Sequence, residues 1–175
     1  MGQELPVFLG HEIYRGSSYG DWHPLRVPRV STVMDLSRAL GWLPGAQYRL
    51  SPRAKPAALR VWHDPDYLDA LQRAEAAGAV SRADRERFNI GTPSSRVYPE
   101  VYRRPATSAG GSLLAGELLA EGGVVYHPAG GTHHGMPGHA SGFCYLNDPV
   151  LAILSLRRQG VRRVGYVDMD AHEGD

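Results

Sequence analysis

Residues 147–167 read NDPVLAILSLRRQGVRRVGYV, a run that contains a helix start, a helix and a following strand. Asn147-Asp148 is a typical cap, and proline suits the first turn of the helix that we predict over Pro149–Arg158. A glycine ends that helix, and the apolar residues Val164–Val167 predict a buried strand. This single run therefore favours an α/β arrangement.

An upstream apolar run, Gly123–His127, predicts the strand that precedes this helix. Strand, loop, helix and strand at this spacing make a βαβ unit, in which the strands are parallel and the crossover is right-handed. We therefore predict a mostly parallel sheet flanked by helices. Binding sites in such sheets lie beyond the carboxyl ends of the strands.

The rest of the chain shows further alternation of elements without an internal repeat. Apolar periodicity and turn residues predict strands at Val7–Tyr14 and Tyr48–Leu50, helices at 30–42, Asp66–Ala77 and Pro99–Glu121, and a surface loop at Asn89–Arg96. The pair Gly110-Gly111 inside the last of these helices indicates a close approach to a neighbouring segment. All of these elements fit one domain.

Composition excludes several classes of protein. The chain has 175 residues, a formal net charge of +1 and 42% hydrophobic residues, so neither nucleic acid nor an anionic membrane is expected as a partner. Cys144 is its one cysteine, which rules out an internal disulfide and favours a reducing compartment. With no apolar run of membrane length and no leader pattern, we expect a cytoplasmic protein.

Two polar segments follow the two predicted strands. Gly130–His134 reads Gly-Gly-Thr-His-His, and 168–175 reads Asp-Met-Asp-Ala-His-Glu-Gly-Asp. In an extended segment, alternation places Asp168, Asp170 and His172 on one side. Carboxylates and imidazoles gathered at one sheet edge are the ligands and proton carriers that metal-assisted hydrolysis needs. The sequence thus predicts one shared, metal-dependent site.

These segments resemble those of a known family. Together with 140–148, Ala-Ser-Gly-Phe-Cys-Tyr-Leu-Asn-Asp, and with His23-Pro24 and 62–68, they resemble the histone deacetylases, and more narrowly the bacterial acetoin-utilisation deacetylases. The resemblance implies a three-layer α/β fold of the arginase/deacetylase type. It also implies zinc-dependent hydrolysis of an acetamide, with acetyl-lysine or a small acetylated amine as substrate.

The resemblance further implies roles for individual residues. Asp170 and His172 match two zinc ligands, and His133 and His134 match the tandem histidines that handle protons, either of which remains open as the general base. Asp168 and Asp175 match the carboxylates that orient the first and second histidine. The backbone of Asp168, Asp170 and His172 resembles part of a structural potassium site. Substrate contacts are implied for Gly142 and Phe143 as channel wall, for Arg29 beneath the site, and for the rim loop around Ser94.

Several of these residues keep a second interpretation. Phe143 could be a core residue, Arg29 could be half of an ion pair or a charge at a helix start, and His63 is expected to be a structural histidine. Glu173 replaces a usual His or Gln of the family, and Ser94 stands about where a substrate-binding Asp is expected. A neutral Ser binds peptide amides more weakly than a carboxylate, which leaves room for small amines.

The family's third zinc ligand, an Asp, and its catalytic Tyr lie downstream of the matched stretch. We therefore expect residues 1–175 to be the N-terminal part of one deacetylase domain and to be inactive alone. Two rival functions remain. One is a non-catalytic relic or ligand-binding module of the same fold; the other is an arginase-like dimanganese hydrolase, against which the Ser141–Tyr145 stretch argues.

Overall fold

A computed structural model describes residues 5–16, 19–20, 23–120 and 122–173 of the chain. Its elements in chain order are β1 (Val7–Gly10), α1 (Ile13–Gly16), α2 (Arg29–Ala39), β2 (Tyr48–Leu50), α3 (Pro56–Leu59), α4 (Pro65–Ala77), α5 (Arg82–Phe88), α6 (Arg103–Leu119), β3 (Val125–Tyr126) and α7 (Asp148–Arg158). Two short 3₁₀ turns, Pro24–Arg26 and Gly45–Gln47, precede α2 and β2. Within these described ranges, no helix is long and apolar enough to cross a membrane.

The three strands form a parallel sheet in the order β2-β1-β3. Phe8 of β1 pairs with Tyr48 on one side and with Tyr126 on the other. The predicted parallel α/β arrangement with flanking helices is confirmed. The predicted first strand is too long, because the chain leaves the sheet after Gly10 and turns into α1.

The four predicted helices, which correspond to α2, α4, α6 and α7, lie close to their predicted positions because their end signals are local, whereas α1, α3 and α5 were not predicted. α4 begins at Pro65 and ends at Ala77, and it is capped by Gly78, whose φ of +63° is a left-handed conformation suited to glycine. α7 begins after Asn147, whose side chain accepts a hydrogen bond from the Val150 amide at 3.1 Å. Both ends are set by residues within one turn of the helix, so the sequence alone predicts them.

The buried core lies between α4, α6 and the segment that leads into α7. Its members are mostly aliphatic or aromatic and include Leu59, Tyr67, Leu68, Leu71, Phe88, Ile90, Val101, Ala106, Ala109, Tyr145, Leu146 and Leu151. The predicted close approach at Gly110-Gly111 is confirmed: a side chain on Gly110 would collide with the Pro52 carbonyl oxygen, and one on Gly111 would come within 2.5 Å of the His127 ring. α6 therefore packs backbone to backbone with its neighbours.

The predicted strand Val164–Val167 is not formed among the described residues. Residues 161–169 have no regular secondary structure, and Val167 is 82% exposed. A strand needs backbone partners on a neighbouring strand, and none of the three described strands pairs with this segment. The βαβ prediction is therefore wrong for its second strand, although its helix and its first strand are present.

Candidate active site

His133 and Asp168 are in direct contact. The Nδ1 atom of His133 lies 2.5 Å from Asp168 Oδ2, and this pair is mostly shielded, with 10% and 25% of the two side chains exposed. The Tyr166 hydroxyl donates to the same carboxylate oxygen at 2.8 Å. Segments 35 residues apart in sequence thus share one site, although the segment before Asp168 does not form the predicted strand.

Hydrogen bonds keep the Asp168 carboxylate ionised. The Asp170 amide donates to Asp168 Oδ1 at 3.0 Å, and together with His133 and Tyr166 it lowers the pKa of Asp168 to about 2. An ionised acceptor beside Nδ1 favours the tautomer in which Nδ1 carries the proton. The Nε2 atom of His133 is then left as the acceptor that can receive a proton from water or substrate.

Asp170 and His172 face each other on the adjacent turn. His172 Nδ1 lies 3.0 Å from Asp170 Oδ1, and the His172 amide donates to the same oxygen at 2.9 Å. The two predicted zinc ligands are thus hydrogen-bonded to each other, and both side chains stay largely exposed, at 54% and 79%.

The tandem histidines line a cavity of about 400 Å³. The His133 and His134 rings are 4.1 Å apart between centroids, and His134 is 6.3 Å from the His172 ring. The cavity also contains the predicted contacts Arg29, Gly142, Phe143, Asp170 and His172. One concave space thus unites the proton carriers, both predicted zinc ligands and most of the predicted substrate contacts.

The Gly142-Phe143 turn shapes one wall of this cavity. Both residues have positive φ, +50° and +65°, which is strained for the phenylalanine. The Phe143 ring packs edge-on against the His23 ring at 4.7 Å, and its half-buried position favours the wall interpretation over a core role. A side chain on Gly142 would collide with the His134 ring, so glycine lets the wall approach the histidine.

The remaining predicted residues lie in different surroundings. Arg29 is the first residue of α2 and is exposed at the cavity. Ser94 lies half-buried in a short Thr92–Ser95 bridge and is not among the residues that line the cavity. Asp175, the predicted partner of the second histidine, lies outside the described residues.

Comparison with known proteins now adds to this geometry. The family pattern described as the histone deacetylase domain matches residues 23–175, which is most of the chain. The chain belongs to the histone deacetylase family.

Its relatives in this family include bacterial and yeast proteins. The chain is 30% identical to the acetoin utilization protein AcuC of Bacillus subtilis over 97% of this chain and 44% of AcuC. It is 34% identical to histone deacetylase RPD3 of Saccharomyces cerevisiae over 90% of this chain and 37% of RPD3. The chain thus spans less than half the length of these histone deacetylase relatives.

Two solved structures of histone deacetylase homologues share the fold. A homologue complexed with SAHA superposes with a TM-score of 0.92 at 32% identity, covering 97% of this chain and 46% of that one. A homologue from Aquifex aeolicus superposes with a TM-score of 0.87 at 31% identity, over 91% and 43% of the two chains. The fold predicted from the motifs is therefore confirmed.

Sequence reasoning missed the polar residues beneath the tandem histidines of this histone deacetylase family member. Asp148 was interpreted only as a helix cap, yet it is 2% exposed and accepts hydrogen bonds from the Thr132 and Gly131 amides at 2.8 and 3.1 Å. His63 is buried and hydrogen-bonded, which confirms the prediction of a structural histidine. A cap signal alone does not reveal which other segments the same carboxylate contacts.

Proposed function

We propose that this chain supplies part of the active site of a zinc-dependent deacetylase, which hydrolyses an acetamide of lysine or of a small amine. The observation that carries the proposal is the cavity in which His133, His134 and the Asp170–His172 pair lie together. Family membership supports the same class of reaction. Zinc bound there would polarise the acetyl carbonyl and make a bound water more acidic.

His133 and His134 would bind and transfer the protons of the reaction. Asp168, 2.5 Å from His133 Nδ1, favours the proton on that atom, which leaves His133 Nε2 as the nitrogen that exchanges a proton with water or substrate. His134, at 4.1 Å between ring centroids, is our proposed general base for the attacking water. A base and a second imidazole side by side can take a proton from water and return one to the leaving amine.

The substrate would enter along the Phe143 wall. An aromatic ring beside the cavity suits the aliphatic stem of an acyl-lysine, and the homologue complexed with SAHA supports an acyl-chain ligand in this fold. Arg29 places a cation at the positive end of the α2 dipole, an unfavourable position that a negatively charged product such as acetate would offset. We therefore propose Gly142, Phe143 and Arg29 as substrate or product contacts, with Ser94 as a contact of the rim alone.

The ligand count limits what the chain can do by itself. A catalytic zinc takes three protein ligands, whereas Asp170 and His172 are two, and no cluster of three or more His, Cys, Asp or Glu is found in the part of the chain that the structure describes. We propose that residues 1–175 form the N-terminal part of one deacetylase domain and that the isolated chain binds zinc weakly and is inactive. A potassium ion held by the backbone of 168–172 belongs to the same proposal.

Zinc content and acetamide hydrolysis test the proposal. Both would be measured for the 175-residue chain and for the protein encoded by the whole open reading frame that contains it, with an acetyl-lysine peptide and a small acetylated amine as substrates. We expect hydrolysis by the latter protein, loss of zinc in Asp170→Asn, and a kcat lowered at least about 100-fold in His134→Ala. His139→Ala, at an exposed histidine, is the matched control.

Two results would contradict the proposed function. A protein that binds zinc at Asp170 and His172 but hydrolyses no acetamide would replace the enzyme proposal with a ligand-binding module of the same fold. Full activity of the isolated 175-residue chain would refute the incomplete-site proposal, since two ligands would then suffice.

A further inference from the structure

The side chains of Asn147 and Asp148 form hydrogen bonds with the two ends of the loop that carries the tandem histidines. We propose that these two side chains act as a clamp, the Asn147-Asp148 clamp, that positions His133 and His134 for catalysis. This proposal rests on the proposed function, because it assigns the clamp to the same site. The clamped segment is residues 131–135, called here the His-His loop.

Asp148 holds the amino end of the His-His loop. Its Oδ1 accepts from the Thr132 amide at 2.8 Å and contacts the Thr132 hydroxyl, while its Oδ2 accepts from the Gly131 amide at 3.1 Å. The Ser112 hydroxyl of α6 donates to Oδ2 at 2.5 Å. A carboxylate that is 2% exposed is costly unless it is hydrogen-bonded, and the two loop amides and the Ser112 hydroxyl supply a donor to each oxygen. The Thr132 hydroxyl has one proton, for which the Leu146 carbonyl oxygen at 2.5 Å competes with Asp148.

Asn147 holds the carboxyl end of the same loop. Its Nδ2 donates to the carbonyl oxygens of His133 and Gly135, each at 3.0 Å. Its Oδ1 accepts from the Val150 amide at 3.1 Å, and its own amide donates to His63 Nε2 at 3.0 Å. Both polar atoms of the Asn147 side chain are therefore engaged in hydrogen bonds.

The donors and acceptors of the loop match the two side chains in order. The amino end offers amides, which need an acceptor-only carboxylate, and the carboxyl end offers carbonyls, which need the donor nitrogen of an amide. Two glycines let the backbone come this close: a Cβ on Gly130 would be 2.8 Å from Asp148 Oδ2, and one on Gly135 would be 2.8 Å from the Asn147 nitrogen. Exchange of the two residues would place a carboxylate oxygen against the His133 and Gly135 carbonyl oxygens and an amide nitrogen against a loop amide.

The clamp also fixes the loop relative to the reacting groups. His133 lies between the clamped ends and reaches Asp168 at 2.5 Å, so a shift of its backbone would lengthen that contact. Misplacement of a catalytic group by about 1 Å costs about 100-fold in rate. Asn147 and Asp148 are positioning residues in this proposal, since neither lines the 400 Å³ cavity and both act through the loop backbone. Asn147 also lines a neighbouring cavity of about 530 Å³ beside His133 and Asp168.

Asp148→Asn is the decisive substitution. It keeps the size of the side chain, yet either orientation of the new amide points its nitrogen at a backbone amide of the loop. In the whole-reading-frame protein loaded with zinc, we expect kcat on an acetyl-lysine peptide to fall by roughly 10- to 100-fold and KM to change less than about twofold. Thr132→Val should lower kcat by less, and Thr132→Ser, which keeps the hydroxyl, should restore it.

Ser155→Ala is the matched control for lost stability. Ser155 is a buried serine of α7 that donates to the Leu113 carbonyl oxygen of α6 at 3.2 Å, so its removal weakens the same helix pair without touching the loop. We expect Ser155→Ala to lower the melting temperature while kcat stays unchanged. An equal fall of kcat in Ser155→Ala and Asp148→Asn would overturn the positioning role, as would a folded Asp148→Asn with wild-type kcat.

A measurement without turnover separates this proposal from the proposed function. Nuclear magnetic resonance can follow hydrogen exchange of the Gly131 and Thr132 amides in the same zinc-loaded protein. Protection should drop in Asp148→Asn and Thr132→Val and persist in Ser155→Ala, whether or not the protein hydrolyses acetamides. Unchanged protection in both loop variants would refute the clamp, and a loss of protection in a protein without activity would refute only the proposed function.

Discussion

Protonation of His63 is expected to destabilise the fold in mildly acidic solution. This side chain is 1% exposed, its Nδ1 lies 3.1 Å from the Met136 carbonyl oxygen, and its Nε2 accepts from the Asn147 amide at 3.0 Å. Only the neutral ring with its proton on Nδ1 satisfies both contacts. A second proton would put a donor against the Asn147 amide and a charge into the core.

The magnitude follows from the pKa of this histidine. Burial lowers it to about 4 in the folded chain, against an ordinary value of 6.5 in the unfolded chain. Between these two values the unfolded chain carries a proton that the folded chain does not, so the free energy of unfolding falls as pH falls. At about 1.36 kcal/mol per pH unit, His63 accounts for a loss of about 3 kcal/mol from pH 6.5 to pH 4.

Urea unfolding of the wild type and of His63→Gln at several pH values between 7.5 and 4 measures this loss. Above pH 6.5 the variant should be the less stable protein, because the glutamine loses the shape and contacts of the ring. The difference should narrow by about 3 kcal/mol as pH falls to 4, since glutamine does not titrate. His139→Gln, at an exposed position, is the matched control. A pH-independent difference for His63→Gln would refute the reasoning.

Two further predictions concern glycines. Gly110→Ala would collide with the Pro52 carbonyl oxygen, so we expect it to lower the free energy of unfolding by about 2 kcal/mol or more, although alanine normally favours a helix; Gly165→Ala, with open space around it, is the control in the same urea assay. Gly142→Ala would push the His134 ring from its place, and we expect a lower kcat on acetyl-lysine peptide with unchanged zinc content. Wild-type kcat in that variant would contradict the close approach.

Local signals predicted most of the helices and the sense of the sheet. The α7 cap and its proline stand next to each other in the sequence, so its start needed no tertiary information. The strand at Val164–Val167 was different, because an apolar run reports only that a segment could be buried. Whether it becomes a strand depends on a partner, and none of the described strands provides one. The strand propensity of Val164–Val167 was therefore not enough without a neighbouring strand to pair with.

The residues of the candidate site also differ in whether the sequence alone could predict their roles. Asp168, Asp170 and His172 were predicted from alternation, and the structure brings Asp168 to His133. Asp148 was assigned only a local role, because a helix cap and a buried loop anchor have the same sequence signature. Its second role depends on Ser112 of α6, 36 positions away, which no single-sequence pattern connects to it. Long-range polar partners are therefore what sequence reasoning lacked here.

The His-His loop and the turn that carries Asp170 and His172 differ in how firmly hydrogen bonds hold them in the fold. The His-His loop is held by hydrogen bonds that Asp148 accepts and Asn147 donates, so its geometry needs no metal. Asp170 and His172 are 54% and 79% exposed, and the hydrogen bonds found at their side chains join neighbours in the same short turn. Zinc binding would have to order that turn, and the conformational entropy lost in ordering it would lower the affinity for zinc. The turn that carries Asp170 and His172, rather than the His-His loop, therefore limits what this chain can do.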